Sequence, residues 1–277
     1  MEARAGPMTC YRHPDRETRL SCSSCARPVC VDCVRSAAVG QRCPDCAAPQ
    51  GRARVITAAD IRGGGVSRAP VSIALIAVSA GVFALTLVPS DLGRLLYAYG
   101  AQANGAVEAG QWWRLLTAAF LHQGLLHIGF NMWALYVFGP ALEQRVGSLP
   151  FAALYLSAAV AGGALFLLLG TGVAVGASGA IFGLFGAWLA VFTRSRNTVA
   201  GRAVFQQLVT LLVINLALPL VIPNIAWQAH VGGLVTGFVV SSAWLAPALQ
   251  EPHRALPRAL VAVLPGLLAL AVVLGAA

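Results

Sequence analysis

Three polar side chains that could perform acyl transfer stand near the starts of long apolar segments. Ser178 lies in GASGAIFGLFGAW, His127 in FLHQGLLHIGFNMW and His230 in AWQAHVGG. A serine hydroxyl becomes a nucleophile when an imidazole beside it accepts its proton. The residue types therefore permit a dyad of Ser178 and His230. The nearest carboxylate, Glu143, lies at the far end of the second apolar segment, so no acid is at hand to complete a triad.

Donors for a developing oxyanion are available on the same segments. His127 and Asn131 are four residues apart, which places both side chains on one face of a helix. The backbone N–H of Ser178 would stand at a helix N-terminus, where the dipole favours negative charge. Together these groups could stabilise the oxygen of a carbonyl under attack.

Small residues next to the serine and the histidine indicate how the two could meet. G-x-x-x-G patterns are formed by Gly179 and Gly183, extended by Gly186, and by Gly233 and Gly237. Such faces let membrane helices approach closely. Each feature is weak alone, because a serine in a span usually bonds to its own helix and an intramembrane histidine is often a partner between helices. At one depth on three segments, they favour the catalytic interpretation.

The first 46 residues contain all seven cysteines and indicate a second kind of site, one that binds metal. The potential ligands are Cys10, His13, Cys22, Cys25, Cys30, Cys33, Cys43 and Cys46. They form four pairs with two residues between the members of each pair, which is half a tetrahedral zinc site per pair. We therefore expect two structural Zn²⁺ ions. Free buried cysteines or a redox site are the alternatives.

The spacing of these ligands resembles the B-box type of zinc finger. That resemblance implies interleaved pairing, with Cys10, His13, Cys30 and Cys33 on one zinc and Cys22, Cys25, Cys43 and Cys46 on the other. The sequence alone leaves a sequential pairing open. Because so short a unit has little apolar core, metal would supply most of its folding energy. Such a module would bind a cytoplasmic partner that the sequence does not name.

The remaining composition is that of a polytopic membrane protein. The chain of 277 residues is 58% hydrophobic and 10% charged, against roughly 25% charged residues in soluble proteins. Seven segments approach the ~20 residues needed to cross a bilayer. They are residues 70–88, 121–142, 150–170, 177–193, 203–222, 227–245 and 256–275. The long loop before the second segment is amphiphilic and is expected in the membrane interface, anchored by Trp112 and Trp113.

The arginines predict the orientation of these segments. Ten lie on the side of the N-terminus: Arg52, Arg54, Arg62, Arg68, Arg145, Arg194, Arg196, Arg202, Arg254 and Arg258. Only Arg94 and Arg114 lie on the other side. The positive-inside rule then places the N-terminus in the cytoplasm and the C-terminus outside the cell membrane. Because the basic residues flank apolar segments, the net charge of +9 reflects topology, and no nucleic-acid partner is expected.

The predicted organisation is therefore a zinc-binding domain over residues 1–48, a Gly/Arg-rich linker over 49–69 and an all-α membrane domain over 70–277.

The membrane domain resembles the rhomboid intramembrane serine proteases. The matching motifs are Trp113-Arg114 in the first loop, His122, His127 and Asn131 in segment two, Gly176, Ser178 and Gly179 in segment four, and Ala229, His230, Gly233 and Gly237 in segment six. The resemblance implies a six-helix core with a seventh, C-terminal helix. It also implies Ser178 as nucleophile, His230 as base, and an oxyanion hole of Asn131, His127 and backbone near the serine, with Gly176 admitting the substrate.

The same resemblance implies what the protein acts on. Substrates would be transmembrane proteins in the lipid bilayer, cut near the outer end of a span, with no metal or cofactor in the chemistry. Water would enter from the outer face beneath segment five. An inactive rhomboid-like scaffold that binds membrane proteins is the alternative function. A transporter is disfavoured, since no charged residue lies within a span core, and a zinc adaptor with a membrane anchor leaves the polar residues unexplained.

Overall fold

The computed structural model describes residues 8–37, 40–47, 69–88, 91–222, 225–250 and 254–276. The chain divides into two compact units, Met1–Ala58 and Ala59–Ala277. We call the described residues of the first the Cys/His unit and those of the second the membrane unit. Apart from residue 69, the predicted linker lies outside the described residues.

The Cys/His unit is built from short elements around its sulfur atoms. Strands β1 (Met8–Cys10) and β2 (His13–Thr18) pair antiparallel, as do β3 (Arg35–Ser36) and β4 (Gln41–Arg42), and helix α1 (Pro44–Ala47) follows. Its buried apolar residues are five of the cysteines and Val29. A core of that kind offers too little apolar area to stabilise a fold without cross-links.

The membrane unit is helical and contains seven long helices among the described residues. These are α2 (Pro70–Leu87), α6 (Leu125–Val146), α7 (Ser148–Leu169), α8 (Ser178–Ser195), α9 (Val199–Ala217), α10 (Trp227–Trp244) and α11 (Ala255–Ala276). Between α2 and α6 lie the shorter α3 (Asp91–Gly100), α4 (Asn104–Glu108) and α5 (Arg114–Thr117). Each long helix overlaps one of the seven predicted segments, with ends that differ by up to five residues. The expected all-α membrane architecture is confirmed.

Five of these helices are long and apolar enough to cross a membrane by length and composition: α2, α6, α7, α11, and α9 with the turn after it. The other two, α8 and α10, carry the glycines, the serine and the histidine of the predicted site, which lower their mean hydropathy. They pack mainly against α7 and against each other. Helices lined by protein need less apolar surface than helices lined by lipid.

A buried carboxylate joins the starts of α2 and α7. Glu143 accepts hydrogen bonds from the backbone N–H groups of Val71 (3.0 Å) and Ser72 (2.8 Å). It also accepts from the hydroxyls of Ser72 (2.8 Å) and Ser148 (2.6 Å). An ionised carboxylate is favoured where first-turn N–H groups have no helical acceptor. Glu143 therefore has a structural role at the end of the bundle away from Ser178.

The first loop is organised by Arg114 rather than left free. Its guanidinium is buried and donates to the carbonyls of Ala98 and Ala101 (both 2.6 Å) and to the side chain of Gln111 (2.8 Å). Cations are stabilised at a helix C-terminus, and these carbonyls lie at the end of α3. Arg114, counted above as a loop charge, thus fastens α3 to α5.

Candidate active site

Ser178 and His230 meet although 52 residues separate them in the chain. Ser178 is the first residue of α8 and His230 lies in the first turn of α10. Serine Oγ lies 2.8 Å from Nε2 of the imidazole, within the range for a nucleophile and its general base. His230 is buried and Ser178 is half-buried, so the hydroxyl retains access to the surroundings.

Glycines allow this meeting because the backbones of α8 and α10 are in contact. A Cβ added at Gly233 would lie 1.8 Å from the carbonyl oxygen of Gly179, and one at Gly237 would lie 1.7 Å from that of Gly183. A Cβ at Gly186 would lie 2.1 Å from Leu234 O. No residue larger than glycine fits at these points without separating the helices. The predicted packing of the two glycine faces is confirmed.

An aromatic ring holds the imidazole in place. Phe182, one turn after the serine, stacks on His230 with ring centroids 4.3 Å apart and planes 7° from parallel. Nδ1 of His230 is buried and has no hydrogen-bond partner among the described residues. Where a catalytic triad has an acid beside the imidazole, this imidazole has the face of an aromatic ring, a contact that the sequence did not reveal.

The predicted oxyanion residues are partly brought together. Gly176 has φ +122°, and a Cβ there would lie 2.6 Å from Nε2 of His127. The His127 imidazole therefore lies directly against the backbone two residues before Ser178. Asn131 is buried and its amide nitrogen donates to the carbonyl of His127 at 2.8 Å. A primary amide has two N–H donors, which leaves the second for another acceptor.

Comparison with known proteins places this arrangement in a family. The sequence profile of the Rhomboid domain matches residues 109–247. This range contains all five of the predicted catalytic and oxyanion residues: His127, Asn131, Gly176, Ser178 and His230. The chain belongs to the rhomboid family. The matched rhomboid domain runs from the first loop through α10; the Cys/His unit, α2 and α11 lie outside it.

Individual rhomboid relatives agree with this assignment. The chain is 38% identical over 148 residues to "Rhomboid protease GluP" of Bacillus subtilis, covering 53% of this chain and 29% of that protein. It is 37% identical over 145 residues to "Putative rhomboid protease YdcA" of the same bacterium, covering 50% of this chain and 70% of that protein. It is also 40% identical over 136 residues to Arabidopsis thaliana "RHOMBOID-like protein 2", covering 48% and 42%. The chain thus spans less than a third of GluP.

The rhomboid domain contains one buried histidine whose place in the site the sequence did not assign. His122 is fully buried, and its Nε2 accepts a hydrogen bond from the backbone N–H of Ala177 at 3.4 Å. Its ring meets that of His127 edge to face at 5.1 Å. His122 therefore supports both the residue before Ser178 and the imidazole beside Gly176. Its five-residue spacing from His127 was the available signal.

The segment that enters α8 is held by the part of the first loop that comes just before the matched rhomboid range. Strands β5 (Gln102–Ala103) and β6 (Val173–Ala174) pair antiparallel. The side chain of Gln102 also donates to Gly163 O at 2.7 Å, and Asn104 donates to Gly170 O at 3.0 Å. The loop thereby locates the backbone leading to Ser178. Sequence reasoning missed these amides because nothing in the loop's pattern pairs it with β6.

Outside the rhomboid domain, the Cys/His unit gathers its eight ligands into two clusters. One contains Cys10, His13, Cys30 and Cys33, and the other Cys22, Cys25, Cys43 and Cys46, each with its ligand atoms within 4.8 Å of one another. This is the interleaved grouping. Each cluster offers four soft ligands in the number and kind that suit a tetrahedral metal ion such as zinc.

Arg27 lies against the second cluster. Its Nε donates to Cys25 Sγ at 3.3 Å, and its Nη1 pairs with Asp45 at 3.0 Å. The hydrogen bond from Arg27 lowers the pKa of the Cys25 thiol. A thiolate is the form that binds metal, so Arg27 favours the ligand form of Cys25.

Proposed function

We propose that this rhomboid-family chain is an intramembrane serine endopeptidase that uses Ser178 and His230 as a catalytic dyad. The observation that carries the proposal is the 2.8 Å contact between Ser178 Oγ and His230 Nε2. It is reached across a helix pair whose glycines have no evident purpose except close approach. The similarity to two bacterial proteins named as rhomboid proteases supports the same reaction class.

In the proposed reaction, Nε2 of His230 accepts the proton of Ser178 while Oγ attacks the carbonyl carbon of a peptide bond. The tetrahedral intermediate collapses when the imidazolium gives that proton to the leaving amine, and an acyl-enzyme remains. Water, deprotonated by the same imidazole, then releases the new carboxyl terminus. The stack on Phe182 keeps the ring in the plane required for both transfers.

Negative charge on the carbonyl oxygen would be stabilised next to the start of α8. The N–H of Ser178 is a first-turn donor with no helical acceptor, and His127 and the second N–H of Asn131 are the side-chain candidates. Donors fixed before the reaction stabilise a transition state most strongly. The absent side chain at Gly176 leaves the substrate backbone room beside His127.

The proposed substrates are transmembrane segments that reach Ser178 from the lipid. Among the long helices, α9 packs least: 6% of the residues in its membrane window are buried, and its main contact is α8. A segment could approach the dyad on that side. Because a helix hides its peptide bonds, we propose that the substrate unwinds locally before attack.

The dyad would face the outer half of the membrane. Arg145, Arg194 and Arg258 belong to the opposite end, near the C-termini of α6 and α8 and the start of α11. The positive-inside rule assigns that end to the cytoplasm. This orientation places the N-terminus in the cytoplasm and the C-terminus outside.

We further propose that the two clusters of the Cys/His unit hold one structural Zn²⁺ each. Bound zinc would supply cross-links that the small apolar core cannot, and it would take no part in peptide-bond cleavage. Modules of this kind present a surface to another protein, which supports a cytoplasmic binding role.

The test is cleavage of a fluorescent transmembrane peptide by the purified full chain in lipid nanodiscs, together with labelling by a fluorophosphonate probe. Ser178→Ala and His230→Ala should each reduce cleavage by a factor on the order of 10⁴ or more and abolish labelling. Ser195→Ala, at the far end of the same helix, is the matched control and should retain both. Cleavage that persists in the Ser178→Ala variant overturns the dyad.

An inactive scaffold would give a different result. It would bind transmembrane segments equally well in the wild type and the Ser178→Ala variant, and neither protein would react with the probe.

A further inference from the structure

The end of the bundle opposite Ser178 contains a cavity of about 240 Å³. Its walls come from the last turns of α6 and α10, from α8, and from the start of α11. The polar part is formed by Arg145, Arg258 and Gln250, and the apolar part includes Leu142, Val191 and Trp244. The cavity is therefore amphipathic, with two arginines among its lining residues.

The residues that line this cavity include two arginines and no carboxylate. From residue 144 onward there are six arginines, and the single acidic residue is Glu251, which lies outside the described residues. Glu143 is close in sequence, but its two oxygens already accept four hydrogen bonds from Val71, Ser72 and Ser148. It is therefore committed to the starts of α2 and α7.

The two arginines differ in their partners. Nε of Arg258 donates to Leu249 O at 2.6 Å and Nη1 donates to Val146 O at 3.3 Å, which fixes this guanidinium against the cavity wall. Arg145 is exposed and forms no hydrogen bond or ion pair within the described part of the chain. One cation is thus held in position while the other is available to a ligand.

The depth of the cavity in the membrane can be estimated from helix length. Helix α6 has 22 residues and, at 1.5 Å per residue, is about 33 Å long. That length matches the hydrocarbon thickness of about 30 Å. With the start of α6 at one surface, Arg145 near its end lies at the level of the opposite lipid headgroups.

We propose that this cavity binds the phosphate of an anionic phospholipid. The phosphodiester would lie between Arg145 and Arg258, because guanidinium groups match phosphate oxygens in geometry and charge. The first methylenes of the acyl chains would cover Leu142, Val191 and Trp244. Basic pockets between helices at this depth are typical sites for anionic headgroups.

Such a ligand would join the rhomboid domain to the helix that follows it. Arg145 lies inside the matched range 109–247, whereas Arg258, on α11, lies outside it. The phosphate would therefore fasten the seventh helix to the end of α6. This role does not depend on the proposed protease activity.

The experiment is thermal unfolding of the purified full chain in a neutral detergent, with short-chain phosphatidylglycerol, short-chain phosphatidylcholine or inorganic phosphate added at equal concentration and ionic strength. Phosphatidylglycerol near saturation should raise the Tm by about 5 °C, and phosphatidylcholine should not. Arg145→Gln should lose this shift. Arg196→Gln, an exposed arginine at the same end that does not line the cavity, should keep it.

Arg258 also supports the fold through its bonds to two carbonyls, so the second variant is Arg258→Lys, which keeps the charge and loses the planar fork. It should weaken the phosphatidylglycerol shift while folding normally. An equal shift with phosphatidylcholine, or an equal loss in Arg145→Gln and Arg196→Gln, overturns the proposal. A full shift with inorganic phosphate supports the phosphate site but assigns it to a soluble ligand instead of a lipid.

Discussion

The Cys/His unit and the pair of helices α8 and α10 solve one problem by two different means. Each must hold together residues that are far apart in sequence. In the Cys/His unit, eight ligand atoms converge in two clusters, with hardly any apolar core around them. In the helix pair, the absence of side chains at Gly179, Gly183, Gly233 and Gly237 lets one backbone touch the other, and Ser178 and His230 meet as a result. On the proposal that each cluster holds a metal ion, the first arrangement depends on an added ion, while the second depends on the absence of side chains.

This difference predicts opposite sensitivities. The Cys/His unit should stay folded when side chains other than the ligands are changed and should unfold when metal is removed. The packing of the helix pair should be unaffected by chelators and should be disrupted when a methyl group is introduced between the helices.

Metal removal should give the largest effect. Structural zinc contributes about 10–16 kcal/mol of folding free energy in small fingers, so a strong chelator should unfold the Cys/His unit completely. Because all seven cysteines lie in this unit, alkylation followed by mass spectrometry is a direct measurement. We expect protected thiols before chelation and seven modified thiols after it, with peptide cleavage by the membrane unit retained.

Readdition of zinc with fresh reductant should restore protection and serves as the control. Thiols that react equally fast before and after chelation would show that metal does not hold this unit together.

A methyl group between α8 and α10 should give the next largest effect. In Gly237→Ala, the new Cβ would lie 1.7 Å from Gly183 O, where 3.0 Å is the practical limit, so the helices must separate by more than an ångström. We expect about 3 kcal/mol of destabilisation and at least a 100-fold loss of cleavage, since displacements of this size misalign reacting groups. Thermal unfolding and a cleavage assay measure the two effects.

Gly81→Ala is the matched control, because a Cβ there meets nothing within 4 Å. It should keep full activity and the wild-type Tm or slightly more. Equal behaviour of the two variants would mean that close approach of the backbones is not what places the dyad.

The helical architecture, the proposed dyad and the ligands of the Cys/His unit could be predicted from the sequence, because each is marked by residue type and spacing. Ser178 lies on one helix with its glycine face, and His230 lies on another helix with its own glycine face. Within each helix, the period of 3.6 residues tells which side chains share a face. The paired spacing of the eight ligands likewise predicted two four-ligand clusters, but it did not tell which pairs share a cluster. That choice needed the fold, since both pairings satisfy the same local geometry.

The parts that escaped prediction depend on contacts between distant segments made by ordinary-looking residues. Phe182 is one apolar residue among many in α8, and only the position of His230 gives it a purpose. Gln102 donates to a backbone carbonyl 61 residues along the chain, and Arg27 donates to the sulfur of Cys43, 16 residues away. No local period marks such partners, so their roles appear only in three dimensions.

Loss of the ring that stacks on His230, the proposed base, should have an intermediate effect. Aromatic stacking contributes about 0.5–1.5 kcal/mol beyond burial, so Phe182→Leu should lower kcat by up to about 10-fold with little change in KM. Phe182→Tyr should retain the stack and most activity. Phe192→Leu, which removes a stack with Trp188 at the far end of the same helix, is the control; an equal fall in that variant would point to general destabilisation of α8.

The smallest predicted effect lies in the Cys/His unit and is a gain. Ala26 follows the ligand Cys25 and has φ +59°, a left-handed conformation that costs a residue with a Cβ about 1–2 kcal/mol. Its backbone N–H bonds to Cys22 O at 2.8 Å, so this residue closes the turn that contains the ligands Cys22 and Cys25. Ala26→Gly should therefore stabilise the metal-bound unit by about 1 kcal/mol and raise the apparent zinc affinity about 5-fold in a chelator competition. Glycine is thus expected to help here by relieving strain, whereas at Gly237 it is needed because it occupies no space. An unchanged affinity would mean that the turn is equally strained in the metal-free chain.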